Sequence, residues 1–378
     1  MSGATSRAVV SASVVCTIAT ILPGFLVGAL SVQAIDEFGV GEATYGWGLG
    51  AFFIAATLVS ARMGGVAQDV GPRRQVTTAL LTTSVSCFAL AVVATSFVTF
   101  VALLALMGIS NSANQSAINL LLAQARLPRL GLALAIKQSS MPAAALLGGL
   151  AVPSIAVTVG WRWVYVVAGC LPLLAMVALR RVVAPVGRIE RSQRAEPLTP
   201  RSVLRSAAVG FACLGFTAGA LNAWTVSSSV DAGISESAAG VLLSAGAAGG
   251  IAVRVLIGTR LDERIASPLK VAALLSLIGA GGLAMLAIRS PFVVVFATLV
   301  AFGTGWVWPV LTNFAVIAAN REGAAAATGL TQTGVYFGVF SGPLLSGFLI
   351  ELAGYRVMWL TTAAIMVAGA AIVSRTRV

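Results

Sequence analysis

Lys137 and Gln138 stand side by side in an apolar stretch, and Gln332 repeats the amide 194 residues later. An ammonium beside an amide can hold an anionic group, one supplying charge and the other a hydrogen bond. Asn111 and Gln115 are four residues apart, so they share one helical face, and Trp308 offers a large apolar wall. A cation, amides and an aromatic surface are what a small organic ligand needs. This is chemistry of binding and not of bond-breaking. The chain has no His, no GxSxG elbow, no HEXXH and no cluster of metal ligands, so no catalytic residue, metal or cofactor is implied. Cys16, Cys87, Cys170 and Cys213 lie singly inside apolar runs, which reads as small apolar filler and not as a disulfide framework.

The elements that must position these side chains are membrane helices. The 378 residues are 58% hydrophobic and 10% charged, against about 25% charged in soluble proteins. Runs long enough to span a bilayer fall near 8–31, 43–63, 76–94, 97–123, 129–155 and 161–180. After a polar linker at 182–202, six more follow near 203–228, 237–259, 268–288, 291–319, 323–350 and 356–374. The fold class is therefore all-α, with twelve spans in two six-helix bundles, residues 1–181 and 203–378. The first run is too long for the apolar core of a secretory signal and is read as a retained helix.

The net charge of +12 would suggest nucleic acid in a soluble protein. Here the basic residues fall in alternate loops. One side receives Arg7, Arg73, Arg74, Arg126, Arg129, the linker arginines, Arg260, Arg264, Lys270, Arg321, Arg375 and Arg377. The other receives only Arg162, Arg289 and Arg356, and it holds Asp36, Glu37, Glu42, Asp231, Glu236 and Glu351. The asymmetry places both termini in the cytoplasm. The implied setting is the lipid bilayer of the cytoplasmic membrane, with no nucleic-acid partner.

Two polar islands mark corresponding places in the halves. The first is a loop, Gly64-Gly65-Val66-Ala67-Gln68-Asp69-Val70-Gly71-Pro72-Arg73-Arg74, and the second, Gly258-Thr259-Arg260-Leu261-Asp262-Glu263-Arg264, starts 194 residues later. Glu42 and Glu236, Gln138 and Gln332, Gly160 and Gly354, and Arg162 and Arg356 keep the same spacing. Two like halves facing the same way are one plan of secondary transporters, with the substrate path between them.

The islands resemble the hairpin of the major facilitator superfamily, which reads Gly, any, Leu, Ala, Asp, Arg, any, Gly, any, Arg, Arg. In that register the chain supplies Gly64, Val66, Ala67, Gln68, Asp69, Gly71, Arg73 and Arg74. Gln68 stands at the family's Asp position and Asp69 at its Arg position; Asp262 keeps the acidic position in the second hairpin, with Arg264 nearby. The resemblance implies a carrier working by alternating access. It also implies a gate at the cytoplasmic face formed by Gly64, Gln68, Asp69, Gly71, Arg73, Arg74, Gly258, Asp262 and Arg264. The other reading of Arg73, Arg74 and Arg264 is anchoring to anionic lipid.

Lys137 is placed roughly 14 Å along the fifth helix, near the bilayer midplane. There an ammonium faces a cavity or a partner, or it snorkels back to the surface. Gln138 and Gln332 straddle a central site or bond between helices, and Trp308 lines that site or simply packs. Arg254 is six residues from Arg260 and reads as snorkelling. No acid lies deep in a span, and helix 5 lacks the full Gly-Pro pattern of some exporters. The expected cargo is a small organic anion held by Lys137, Gln138, Gln332, Asn111, Gln115 and Trp308. The alternative is an exporter of amphipathic compounds.

Overall fold

The computed structural model describes residues 3–124, 130–182, 197–261, 265–320 and 323–377. Among the described residues eleven stretches are long and apolar enough to span a bilayer, and the last of them is divided at Gly354 into two helices, which makes twelve. They are α1 (Gly3–Ala29), α2 (Glu42–Val70), α3 (Pro72–Val93), α4 (Phe97–Gln124), α5 (Gly131–Val159) and α6 (Trp161–Val182). Then come α7 (Arg201–Asp231), α8 (Glu236–Leu261), α9 (Pro268–Leu286), α10 (Pro291–Ala319), α11 (324–353) and α12 (355–375). A short helix, Ser31–Phe38, prolongs α1. The first six helices pack into one bundle and the last six into another. An even number of crossings puts the described chain ends on one side, called here the terminal face.

The repeat is visible in the backbone. Gly160 turns α5 into α6 at φ 105°, and Gly354 turns α11 into α12 at φ 77°. A side chain is strained at such angles, so glycine at both positions keeps each reversal to a single residue. Glu42 and Glu236 open α2 and α8, where a carboxylate suits the positive end of the helix dipole.

Several boundaries differ from the sequence expectation. The first polar island is not a loop. Helix α2 continues through it to Val70, α3 begins at Pro72, and only Gly71, at φ 90°, is non-helical. Proline at the first helical position loses no hydrogen bond, so helix starts where hydropathy suggested a connection. Gly258 to Leu261 likewise belong to α8. Asp262, Arg264 and residues 183–196 of the expected linker lie outside the described residues. Of the cysteines read as filler, Cys16 and Cys87 are buried, but Cys170 is exposed.

The bundles meet through glycines. A Cβ at Gly28 of α1 would run into the Asn222 carbonyl of α7, and one at Gly149 of α5 into the Gly240 carbonyl of α8. A Cβ at Gly46 of α2 would lie 2.7 Å from the Pro343 carbonyl oxygen of α11, and one at Gly347 of α11 would lie 2.6 Å from the Glu42 carbonyl oxygen. Backbones in such contact gain dispersion energy that larger side chains would prevent. Glu351 of α11 adds a polar tie, accepting the Ala43 N–H at 2.9 Å. That N–H lies in the first turn of α2, where backbone donors have no partner in their own helix. The half of the interface away from the terminal face is therefore shut. Toward the terminal face, Cβ positions at Gly64, Gly65 and Gly329 meet nothing within 4 Å, although α5 and α8 stay together, with Gly258 against Ala135.

A valine at Gly28 or Gly149 is expected to pry the closed half apart, whereas one at Gly65 leaves it shut. The check is alkylation of a single cysteine replacing Leu49 by an impermeant maleimide added opposite the terminal face. Equal rates in all three variants would deny the seam this role. Glu351→Ala removes the carboxylate from the α2 terminus and is expected to raise the same rate by about 2- to 30-fold, the range for a lost helix cap.

Candidate functional site

Between the bundles lies a slot of about 620 Å³, counting its open mouth. Only about 40 Å³ of it admits the centre of a water molecule, so the space is narrow. Its walls come from α1, α2, α5, α7, α10 and α11. Phe25, Leu49, Phe53, Met141, Val335 and Val339 make it apolar. Gln138, Asn222, Trp308, Asn313, Gln332 and Tyr336 supply polar groups.

Two of these helices are broken beside the slot. In α5 the first segment stops at Gln138 and the next begins at Ser140. Pro142, four residues after Gln138, has no N–H to give the Gln138 carbonyl. In α10 a widened turn, Ala301–Gly305, is followed by two residues before helix resumes at Trp308. The Val310 N–H bonds the Val307 carbonyl at 3.3 Å, not the Trp306 carbonyl. Both breaks thus release a carbonyl inside the apolar layer, where no bulk water can satisfy it.

Arg254 of α8 meets both. Its Nη1 donates to the Gln138 carbonyl at 3.4 Å, and its Nη2 donates to the Trp306 carbonyl. The guanidinium carbon sits 4.9 Å from the Trp306 ring centroid, within cation–π range. That ring also stacks on Phe25 of the first bundle, at 5.8 Å and 22°, and meets Phe302 of its own helix edge-on at 5.8 Å. Arg254 is 1% exposed, and its Nε has no partner. The snorkelling expected for Arg254 is therefore wrong. Its position along α8 permits it, but carbonyls on α5 and α10 hold the side chain in the interior.

The amides separated by one repeat, Gln138 and Gln332, line the same slot from opposite bundles. Gln332 stands one turn before Tyr336 on the same face of α11, and both line the slot. Asn222 donates to the Ala218 carbonyl at 2.8 Å but leaves its Oδ1 unpaired, and the buried Trp308 leaves its Nε1 unpaired. Beside the slot there are thus an enclosed acceptor and an enclosed donor, both unspent. Lys137 is half-buried on α5, one turn before the slot residue Met141 on the same helical face. Its ammonium has no hydrogen bond or ion pair among the described residues.

The α4 amides face elsewhere. Asn111 accepts from the Thr20 hydroxyl of α1 at 3.2 Å, and Asn114 donates to the same hydroxyl at 3.1 Å. Gln115 is buried with its Oε1 unpaired. Neither Asn111 nor Gln115 lines the slot; both lie within the first bundle. At the terminal face Gln68 and Arg73 are half-buried, whereas Asp69 and Arg74 are exposed. Gln68 and Asp69 have no side-chain bond among the described residues. Beside them Gln75 fastens α3, its amide donating to the Met63 carbonyl at 3.0 Å and to the Ala113 carbonyl at 2.9 Å. Phe25, Asn222 and Tyr336 were not singled out from sequence. Only the polar residues among them carried a signal, as single polar side chains inside apolar runs.

Solved structures resemble this fold along its length. A bacterial homologue of the human lysosomal transporter Spinster, in an inward-facing and unoccupied conformation, superposes with a TM-score of 0.75 at 15% identity, covering 100% of this chain and 98% of that one. The human organic anion transporter MFSD10 (TETRAN) gives 0.74 at 15% identity, covering 97% and 99%. No curated protein sequence matches. Residues 12–329 match the Major Facilitator Superfamily. With twelve spans, two like bundles and a slot between them, the chain belongs to that superfamily of membrane transporters.

Proposed function

We propose that this transporter carries a small organic anion with an apolar body. The observation behind this reading is a pair of cations beside the slot, Lys137 and Arg254, with no carboxylate paired to either among the described residues. Every described acid stands at a helix end or outside the spans. A cation without a counter-ion is costly inside a bilayer, and a function that needs the charge accounts for its presence. The slot's aromatic and aliphatic wall suits the body of such a cargo. Gln138, Gln332, Asn222 and Trp308 suit its polar edges. A cationic cargo would meet two repelling charges. MFSD10 is named an organic anion transporter, and its likeness at 15% identity extends to the fold alone.

The excess of Arg and Lys at the terminal face supports a cytoplasmic side there, and the proposed setting is the plasma membrane. With the opposite half shut, this is the inward-facing arrangement. Residues 1–181 and 203–378 act as the two rocking bodies, joined by 182–202. Gly71 is the natural hinge between α2 and α3. Asp69, Arg73 and Arg74, with Gly64 and Gln68, would close the cytoplasmic side in the other state. Gly258, Asp262 and Arg264 would do so in the second half.

In proteoliposomes the protein is expected to accumulate radiolabelled aromatic and aliphatic carboxylates, with competition from other organic anions and none from tetraethylammonium. Lys137→Ala is expected to weaken uptake about tenfold or more through apparent affinity, the usual scale for a lost charged hydrogen bond. Competition by cations, together with unchanged affinity in Lys137→Ala, would sink the anion reading.

A further inference from the structure

We propose that Arg254 selects the cargo and links its binding to movement, exchanging the Gln138 carbonyl for the cargo's anionic group. The inference rests on the anion reading above. Its first ground is charge. Arg254 is 1% exposed, and its two acceptors are neutral carbonyls. These satisfy N–H groups but leave the positive charge unbalanced, and Nε is unsatisfied as well. Such a guanidinium is a receptor still lacking its anion.

The second ground is the nature of the acceptors. The Gln138 carbonyl is free because Pro142 has no N–H, and the Trp306 carbonyl is free because α10 breaks there. Arg254 rests on two carbonyls that interrupted helices leave without a donor of their own. A carboxylate outcompetes a carbonyl for a guanidinium, since charge-assisted bonds are roughly twice as strong and can be bidentate. A neutral cargo has no such advantage.

Position supplies the third ground. The guanidinium lies 4.9 Å from the centroid of the Trp306 ring, and that ring lines the slot. Gln138 holds Arg254 by its carbonyl while also lining the slot. Cargo against Gln138 and Trp306 is one ring away from the charge. Finally, Gln138 belongs to the first bundle and Arg254 to the second. Exchanging that carbonyl for cargo removes a tie between the bundles, which is what coupling of binding to rocking requires.

The test uses the purified full-length protein and carboxylates paired with their own amides: benzoate and benzamide, phenylacetate and phenylacetamide, hexanoate and hexanamide. Affinities are read by ligand-dependent thermal stability. Wild type is expected to prefer at least one acid over its amide. Arg254→Gln is expected to lose most of that preference, the remainder resting on Lys137, with acid affinity falling about 10- to 100-fold, while Arg254→Lys retains more of it. Pro142→Ala gives the Gln138 carbonyl a donor within its own helix. It is expected to raise acid affinity several-fold, because the guanidinium is then less firmly held. An acid preference that survives intact in Arg254→Gln overturns this proposal and leaves the anion reading standing. No acid preference in wild type overturns both. Should Arg254→Gln fail to fold, Pro142→Ala decides: a rise supports the proposal, and unchanged acid affinity overturns it.

Discussion

A carbonyl released from its helix inside a bilayer must find a donor within the protein. The site is arranged around this constraint. Pro142 releases one carbonyl on α5, and the break before Trp308 releases another on α10. A single guanidinium, from a third helix, takes both. Arginine suits the task because its donors are fixed in a planar fork and can serve separated acceptors at once. The interruptions that shape the slot and the charge beside it are thus one arrangement.

Around that centre the bundles are held by contacts of differing character. Away from the terminal face, backbone lies against backbone at Gly28, Gly149, Gly46 and Gly347, and Glu351 reaches across to the start of α2. Along α5 and α8 the contact runs through both halves of the layer, from Gly149 with Gly240 to Ala135 with Gly258. Two ion pairs among the described residues each stay inside a bundle: Arg162 with Glu37 at 2.6 Å in the first, and Arg289 with Asp231 at 2.7 Å in the second. They brace each body where its helices leave the apolar layer. Among the described residues, the ties between bodies are hydrogen bonds and packing, which separate without exposing a paired charge.

Much of the architecture was legible in the sequence. Span length and the alternation of basic loops gave twelve helices. The 194-residue spacing paired Gly160 with Gly354, which the backbone shows to be equivalent turns, and Gln138 with Gln332, which line one slot from opposite bundles. Properties that depend on a neighbouring helix were not legible. The snorkelling expectation for Arg254 used distance along its own helix, whereas carbonyls on two others decide its place. Helical period put Asn111 and Gln115 on one face, but period cannot say which neighbour a face meets, and that face meets α1. The polar island looked like a loop because hydropathy reads solvent exposure. Its backbone stays helical up to Gly71 because nothing before that residue interrupts the hydrogen-bond ladder.

The glycine seam also bears on how readily the two bodies can part. Interlocked leucines must change rotamer as they disengage, and each such change adds to an activation barrier. A joint made of bare main chain has few torsions to rearrange. It can let go like two smooth plates, and the freshly bared strips are shallow enough for lipid tails or neighbouring residues to cover. Traffic through such a joint is governed by whatever occupies its middle and scarcely by friction along its rim.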